Sequence, residues 1–270
     1  MSQPCIMGVL NITPDSFSDG GRYLNVEMAV RQGLVMQQEG AALLDIGGES
    51  TKPGSLPVSA DEELARIIPV IEALRQETDL PLSVDTSKAV VARTAIAAGA
   101  NFINDISGLT FDPEMSTVAA ETGAGLFLMH TSGRPEVMQR QTEYQNLLAE
   151  VIASLQQSIH LALDAGVEHS RLAVDPGIGF GKSVLGNLDL LHHLDQLHQL
   201  DCPILLGTSR KSFIGAILDQ DDPQQRLYGT LATVALGVSQ GVQIFRVHDV
   251  HSARETALVS WAIREQQLPS

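Results

Sequence analysis

The four lysines of this chain all lie in short polar stretches directly after predicted strands: Lys52 in GGESTKPG, Lys88 in VDTSK, Lys182 in DPGIGFGKS and Lys211 in GTSRKS. Ammonium groups kept off the general surface and set at strand ends read as a site built for an anion. Arg246 and His248 stand two residues apart on another predicted strand, so they face one way with Val247 opposite. The guanidinium offers a planar fork to phosphate oxygens and the imidazole adds a donor. The competing reading of Arg246 is a surface ion pair with Asp249. Asp85, Asn104 and Asp175 each follow apolar residues, where a carboxylate or amide is costly without a partner. Any one of them alone also reads as a helix N-cap. Taken together with Lys211, they suit a flat heterocycle with an amidine edge. Carboxylates accept paired N–H groups, an amide donates and accepts, and a lysine donates to a ring nitrogen or carbonyl. Guanine and pterin both have that edge.

These residues need elements that bring them together. Short apolar runs recur at 5–10, 42–46, 80–84, 101–103, 125–129, 171–174, 203–206 and 242–247, and helical periodicity fills stretches such as 26–38, 64–74, 90–98, 145–165 and 230–239. Alternation of this kind implies parallel pairing through crossovers, and near-continuous apolar strands imply a sheet buried on both faces. Eight units without a linker predict an α/β fold, a single-domain (β/α)8 TIM barrel spanning 1–270, close to the usual length of about 250 residues. A doubly wound sheet would need Gly-x-Gly-x-x-Gly after its first strand, and Gly8-Val9-Leu10-Asn11 is not that. Ser59 and Glu62 have capping-box spacing, Gly40, Gly99, Gly123 and Gly166 stand where helices should end, and Pro69 is expected to kink or split the second helix. In such a barrel the C-terminal strand ends form the site, which brings Asn11, Asp45, Asp85, Asn104, His130, Asp175, Lys211, Arg246 and His248 to one mouth. Phosphate is commonly held after strands seven and eight, and a helix opening at Ser212 would add its dipole there.

With 17 Lys+Arg against 32 Asp+Glu, the net charge of -15 repels nucleic acid and acidic membranes, so an anionic partner must be small and locally held. No apolar run approaches the roughly 20 residues of a membrane span, and MSQPCIMGVL has no basic leader, so a cytoplasmic location is expected. Cys5 and Cys202 lack metal-ligand spacing and read as reduced thiols. Gly-x-Ser-x-Gly, His-Glu-x-x-His and Cys-x-x-Cys are all absent. GGESTKPGS and DPGIGFGKS do not have P-loop spacing and read equally as lids, whose Phe17 and Phe180 either sandwich an aromatic substrate or pack in the loop. His130 reads as a general base or as a hydrogen-bonded structural residue.

MGVLNITPDSFSDGG and LLDIGGESTKPG, followed in order by SVDTSK, NFINDISG, LMH, DPGIGFGK, GTSRKSFIG and FRVHDV, resemble the ordered signatures of the bacterial dihydropteroate synthases over nearly the whole chain. The resemblance implies a homodimeric barrel that joins 6-hydroxymethyl-7,8-dihydropterin diphosphate to 4-aminobenzoate in folate synthesis, with Mg2+, releasing pyrophosphate. It assigns the pterin to Asp85, Asn104, Asp175 and Lys211, lined by Met129 and Gly207. It assigns the diphosphate to Asn11, Arg246 and His248, with Asn11 at the metal. Thr51, Pro53, Phe17, Phe180 and Ser212 would form the aminobenzoate pocket, which also takes sulfonamides, with Arg226 near the carboxylate. Lys52 stands where the family commonly has Arg, and the chain opens at the first strand where many members carry a hairpin. A pterin barrel serving a corrinoid methyltransferase is the alternative enzyme, but it has no need of Arg-x-His and Ser-Arg-Lys. A catalytically silent pterin-binding paralogue is the alternative of another class.

Overall fold

The computed structural model describes residues 3–13 and 22–269. Strand and helix alternate throughout: β1 (Cys5–Asn11), α1 (Arg22–Gln38), β2 (Leu43–Gly47), α2 (Ala60–Glu77), β3 (Leu82–Asp85), α3 (Ala89–Ala97), β4 (Phe102–Asp105), α4 (Met115–Thr122), β5 (Gly125–Met129), α5 (Leu147–Asp164), β6 (Leu172–Asp175), α6 (Val184–His192), β7 (Leu205–Leu206), α7 (Ser212–Leu218), α8 (Leu227–Ser239), β8 (Ile244–Val247) and α9 (Val250–Glu265). Every strand pair is parallel, in the order β6-β5-β4-β3-β2-β1-β8-β7, and a bridge between Val174 and Ile204 closes the ring. The fold is the expected (β/α)8 barrel.

Ser59 caps α2 by accepting the Glu62 N–H at 3.2 Å, and Gly123 ends α4 in the left-handed region at φ 68°. Pro69 does not split the helix, since α2 runs unbroken from Ala60 to Glu77. Ile67, Val70, Ile71 and Leu74 around it are all 0% exposed. Four such side chains contribute roughly 6–12 kcal/mol of burial, which exceeds the roughly 3 kcal/mol that an interior proline costs.

Alternation along the strands sorts the rest. Ile6, Leu44, Val84, Ile103, Leu126, Val174, Phe245 and Val247 join the core cluster that includes the helix residues, while Met7, Leu43, Phe127, Ala173 and Leu205 form a separate cluster that fills the barrel interior. Two residues further along each strand the same inward parity falls on Val9, Asp45, Met129, Asp175 and Gly207. On β3, β4 and β8 it falls on Asp85, Asn104 and Arg246, and the register sets Val9 opposite Asp45, Asp85 opposite Asn104 and Met129 opposite Asp175. The polar set therefore forms the storey directly above the apolar one.

Candidate active site

Arg246 stands at the centre of that storey. Its Nε donates to Asp45 Oδ2 at 2.6 Å and a terminal nitrogen donates to Asp85 Oδ2 at 2.7 Å. Asn104 Nδ2 donates to the same Asp45 oxygen at 3.0 Å. Because an ionised carboxylate only accepts, the Asn104 oxygen must lie on the opposite edge of its amide. Burial opposes the charge on Arg246, but Asp45 and Asp85 more than offset it and hold the guanidinium above its ordinary range. Burial pushes the Asp85 carboxyl up to about 7, with Arg246 pulling down and Asp45 pushing up. Asp45 Oδ1 and Asp85 Oδ1 are buried without a hydrogen-bond partner. Asp105, just as buried on β4 but facing outward, has both oxygens filled: Oδ1 by the Ser107 N–H and hydroxyl, Oδ2 by the Leu109 N–H. A structural carboxylate is satisfied by its own chain; the two inward ones each leave an acceptor for something else.

Asp175 closes the other side. Its Oδ1 accepts the Gly177 N–H at 2.7 Å, and burial raises its pKa against the pull of Lys211. Burial pushes the Lys211 ammonium down to about 8, with Asp175 countering; it donates to the Ile178 carbonyl and lies 4.6 Å from the Phe180 ring. A side chain at Gly207 would stand 3.7 Å from Asp175 Oδ2 and 3.9 Å from Arg246 Cβ, so its absence keeps the floor open. Ser209 Oγ accepts the His248 N–H at 3.2 Å and lies 2.9 Å from His248 Nδ1. Its proton is then free for Nδ1, leaving Nε2–H to point outward. Burial first, then Arg246, pushes His248 down to about 4, so it is neutral. Asn11 ends β1 beside Gly47, whose Cβ would be 3.8 Å from Asn11 Oδ1 and 3.7 Å from Asp85 Oδ2.

Thr51 is half-buried and Pro53 exposed on the β2–α2 loop, where the Gly54 N–H donates to the Pro135 carbonyl at 2.9 Å. Ser212 is exposed at the first residue of the seven-residue α7, and Met129 is buried at the rim. Phe17 lies outside the described residues. Arg226, expected near a substrate carboxylate, is 8% exposed and donates to the carbonyls of Gln220, Arg210 and Asp221 at 3.0, 3.0 and 2.6 Å. The ion pair of Asp249 is with Arg210, not Arg246. Asp85 caps no helix, since Lys88 is the N-cap of α3.

The profile of the family described as "Pterin binding enzyme" matches residues 7–248. The chain belongs to the pterin-binding enzyme family. It is 48% identical to a dihydropteroate synthase of Synechocystis sp. over 96% of its own length and 89% of that protein. The dihydropteroate synthase of Xanthomonas albilineans superposes with a TM-score of 0.92 at 45% identity in a structure with 4-aminobenzoic acid, covering 99% of this chain and 95% of that one. A second structure of it, in complex with 7,8-dihydropteroate, gives a TM-score of 0.89 at 43% identity and the same coverage. The Yersinia pestis dihydropteroate synthase, in a sulfonamide complex, gives 0.92 at 45% identity, covering 97% of this chain and 95% of that one.

In this pterin-binding enzyme the reading of four lysines as an anion site needs correction. Lys88 pairs with Glu49 and, at 2.6 Å, with Glu63. Lys182 is buried and bonded to His130 and to backbone carbonyls, leaving Lys211 beside the polar storey and Lys52 exposed on the β2–α2 loop, where its charge acts on His248. His130 is not a base: burial and the Lys182 ammonium push it down to about 3. Asp45 was recognised at the mouth but given no role. An aspartate inside the apolar strand LLDIG, two residues after the inward Leu43, was the available signal.

Proposed function

We infer that the chain is a dihydropteroate synthase, joining 6-hydroxymethyl-7,8-dihydropterin diphosphate to 4-aminobenzoate with release of pyrophosphate. The observation that carries this reading is the pair of unpartnered, buried carboxylate oxygens on Asp45 and Asp85, beside Asn104 and below an Arg-x-His pair. A ring edge rich in N–H donors fills such acceptors. Asp85, Asn104, Asp175 and Lys211 hold the pterin, with Met129 and Gly207 lining it. Arg246 and His248 Nε2–H receive the diphosphate oxygens. Thr51, Pro53, Phe180 and Ser212 wall the arylamine pocket.

The arylamine is unprotonated at neutral pH, so its lone pair attacks the pterin methylene carbon without a strong base. The C–O bond to the diphosphate breaks as the C–N bond forms, pyrophosphate carries off the electron pair, and the nitrogen loses a proton to solvent. Catalysis is then mostly orientation, together with charge stabilisation of the leaving group by donors already in place. Among the described residues no group of three or more His, Cys, Asp or Glu could hold a metal. Mg2+ favours substrate phosphates, water and few protein oxygens, and the Asn11 amide oxygen would be its protein ligand. When bound, the ion neutralises charge on the diphosphate.

A homodimer is part of the proposal. Leu185 on α6, Ile217 on α7 and Tyr228 on α8 are 77%, 55% and 82% exposed, and α6 packs beside both α7 and α8, so these apolar side chains are candidates for a subunit contact. Among the described residues no helix is long and apolar enough to cross a membrane, and the free thiols Cys5 and Cys202 suit the cytoplasm. A coupled pyrophosphate-release assay with both substrates tests the reading. Release that requires 4-aminobenzoate and is blocked by a sulfonamide is expected; release indifferent to 4-aminobenzoate refutes it.

A further inference from the structure

The loop after β6 reads Pro176-Gly177-Ile178-Gly179-Phe180-Gly181, and its three glycines have φ of 68°, 84° and 63°. Glycines in the left-handed region give the main chain freedom that must be removed for the loop to hold one shape. Donors on its carbonyls do that. Lys182 Nζ donates to the carbonyls of Gly177 and Phe180 at 2.9 Å each. Lys211 serves Ile178, Gln139 Nε2 serves Gly179 at 2.9 Å, and Tyr144 Oη serves Gly181 at 2.8 Å. Of these donors only Lys182 holds two points of the loop, the ends of the turn in which the Phe180 N–H reaches the Gly177 carbonyl at 3.0 Å.

Lys182 is 3% exposed and reaches two further acceptors on the segment after β5, His130 Nδ1 at 3.0 Å and the His130 carbonyl at 3.4 Å. Nδ1 facing an ammonium must be the unprotonated nitrogen, which fixes the tautomer. Burial pushes Lys182 down to about 7, with Asp175 countering, and its Nζ joins two loops of the barrel mouth by reaching three carbonyls and a ring nitrogen. We propose that Lys182 is a positioning residue for the arylamine half of the site, an internal hydrogen-bond donor that fixes where the Phe180 ring stands.

The inference rests on the reading of Phe180 as a wall of the arylamine pocket. It separates the two halves of the site. Asp175 is placed chiefly by its strand, with the His130 N–H donating to its carbonyl at 3.0 Å, and Lys182 reaches it only through its charge and through Gly177, so the pterin half depends on Lys182 less than the Phe180 turn does. The test is Lys182→Met beside Phe180→Leu, with KM for 4-aminobenzoate from steady-state kinetics and Kd for the pterin alcohol from calorimetry. Both variants are expected to raise KM for 4-aminobenzoate about tenfold or more, because small misplacements of positioning groups cost that much. Both should change Kd for the pterin alcohol far less than they change that KM. If Phe180→Leu raises KM and Lys182→Met does not, the inference is wrong and the arylamine reading stands. If neither raises it, both fall. Parallel losses for both ligands in Lys182→Met would mark the lysine as purely structural and also overturn the inference. Should Lys182→Met fail to fold, Lys182→Arg carries the same comparison, since it keeps the charge but presents a planar fork where a compact ammonium is needed.

Discussion

Replacing Arg246 by methionine removes the cation between two buried carboxylates while keeping a side chain of similar reach. Asp45 is 0% exposed and Asp85 5%, and both give an oxygen to Arg246. Deleting one partner of a buried ionic set costs about 3–5 kcal/mol, because the charges left behind stay desolvated. For a domain of this size that corresponds to a fall in Tm of roughly 10 °C. The pH dependence makes the argument specific. Burial raises the Asp85 carboxyl from 3.8 to about 7, so the folded protein keeps a proton that the unfolded chain has released, and stability from this group declines as pH rises through that window. Arg246 opposes the rise. Without it the upper edge of the window moves higher, and the penalty grows toward alkaline pH. Thermal unfolding followed by circular dichroism should show a Tm gap between Arg246→Met and the parent that is large near pH 8 and clearly smaller near pH 5. A gap equal at both pH values, or larger in acid, would mean that the carboxylates are not what Arg246 holds in place.

Other outcomes follow from the same geometry. Asp175→Asn and Lys211→Met should each lower kcat/KM by roughly 100-fold, since losing a charged partner in a desolvated set costs about 3 kcal/mol, while circular dichroism stays that of the parent. Steady-state rates within about threefold of the parent for both would refute the pterin assignment. A labelled sulfonamide should bind the free protein weakly and far more tightly once Mg2+ and pyrophosphate are present, because the segment 51–55 is short of apolar residues that would hold it closed. An affinity unmoved by saturating pyrophosphate would mean a preformed second pocket. Tyr228→Glu combined with Leu185→Glu should shift the particle from dimer to monomer in sedimentation, and an unchanged mass would place the subunit contact elsewhere.

Much of the site was legible because a strand-end residue needs little context. Asp85, Asn104, Asp175 and Arg246 end apolar runs, and the two-residue period fixes which way they point once the strands are recognised. The predicted runs 125–129 and 171–174 correspond closely to the observed Gly125–Met129 and Leu172–Asp175. The lysines were misread for the opposite reason. Whether an ammonium faces substrate or protein depends on groups far along the chain: Glu49 and Glu63 for Lys88, His130 for Lys182. No local pattern announces such pairings. Pro69 shows the same limit in the backbone, where a strong local rule gave way to a helix face buried by distant strands.

The stacking of the polar storey on Met7, Leu43, Phe127, Ala173 and Leu205 bears on how such a protein can change. The load of folding rests on the apolar layer below and on the strand–helix interface outside, whereas ligand choice is written in side chains one pleat higher. A substitution at Asp45, Asn104 or Asp175 exchanges chemistry without altering strand register or the helices beneath. The barrel is in this sense a chassis with a replaceable top plate. New specificities should be easier to select by varying the inward-facing rim residues together than by varying the loops alone, because the rim is held by strands whose spacing those changes leave intact.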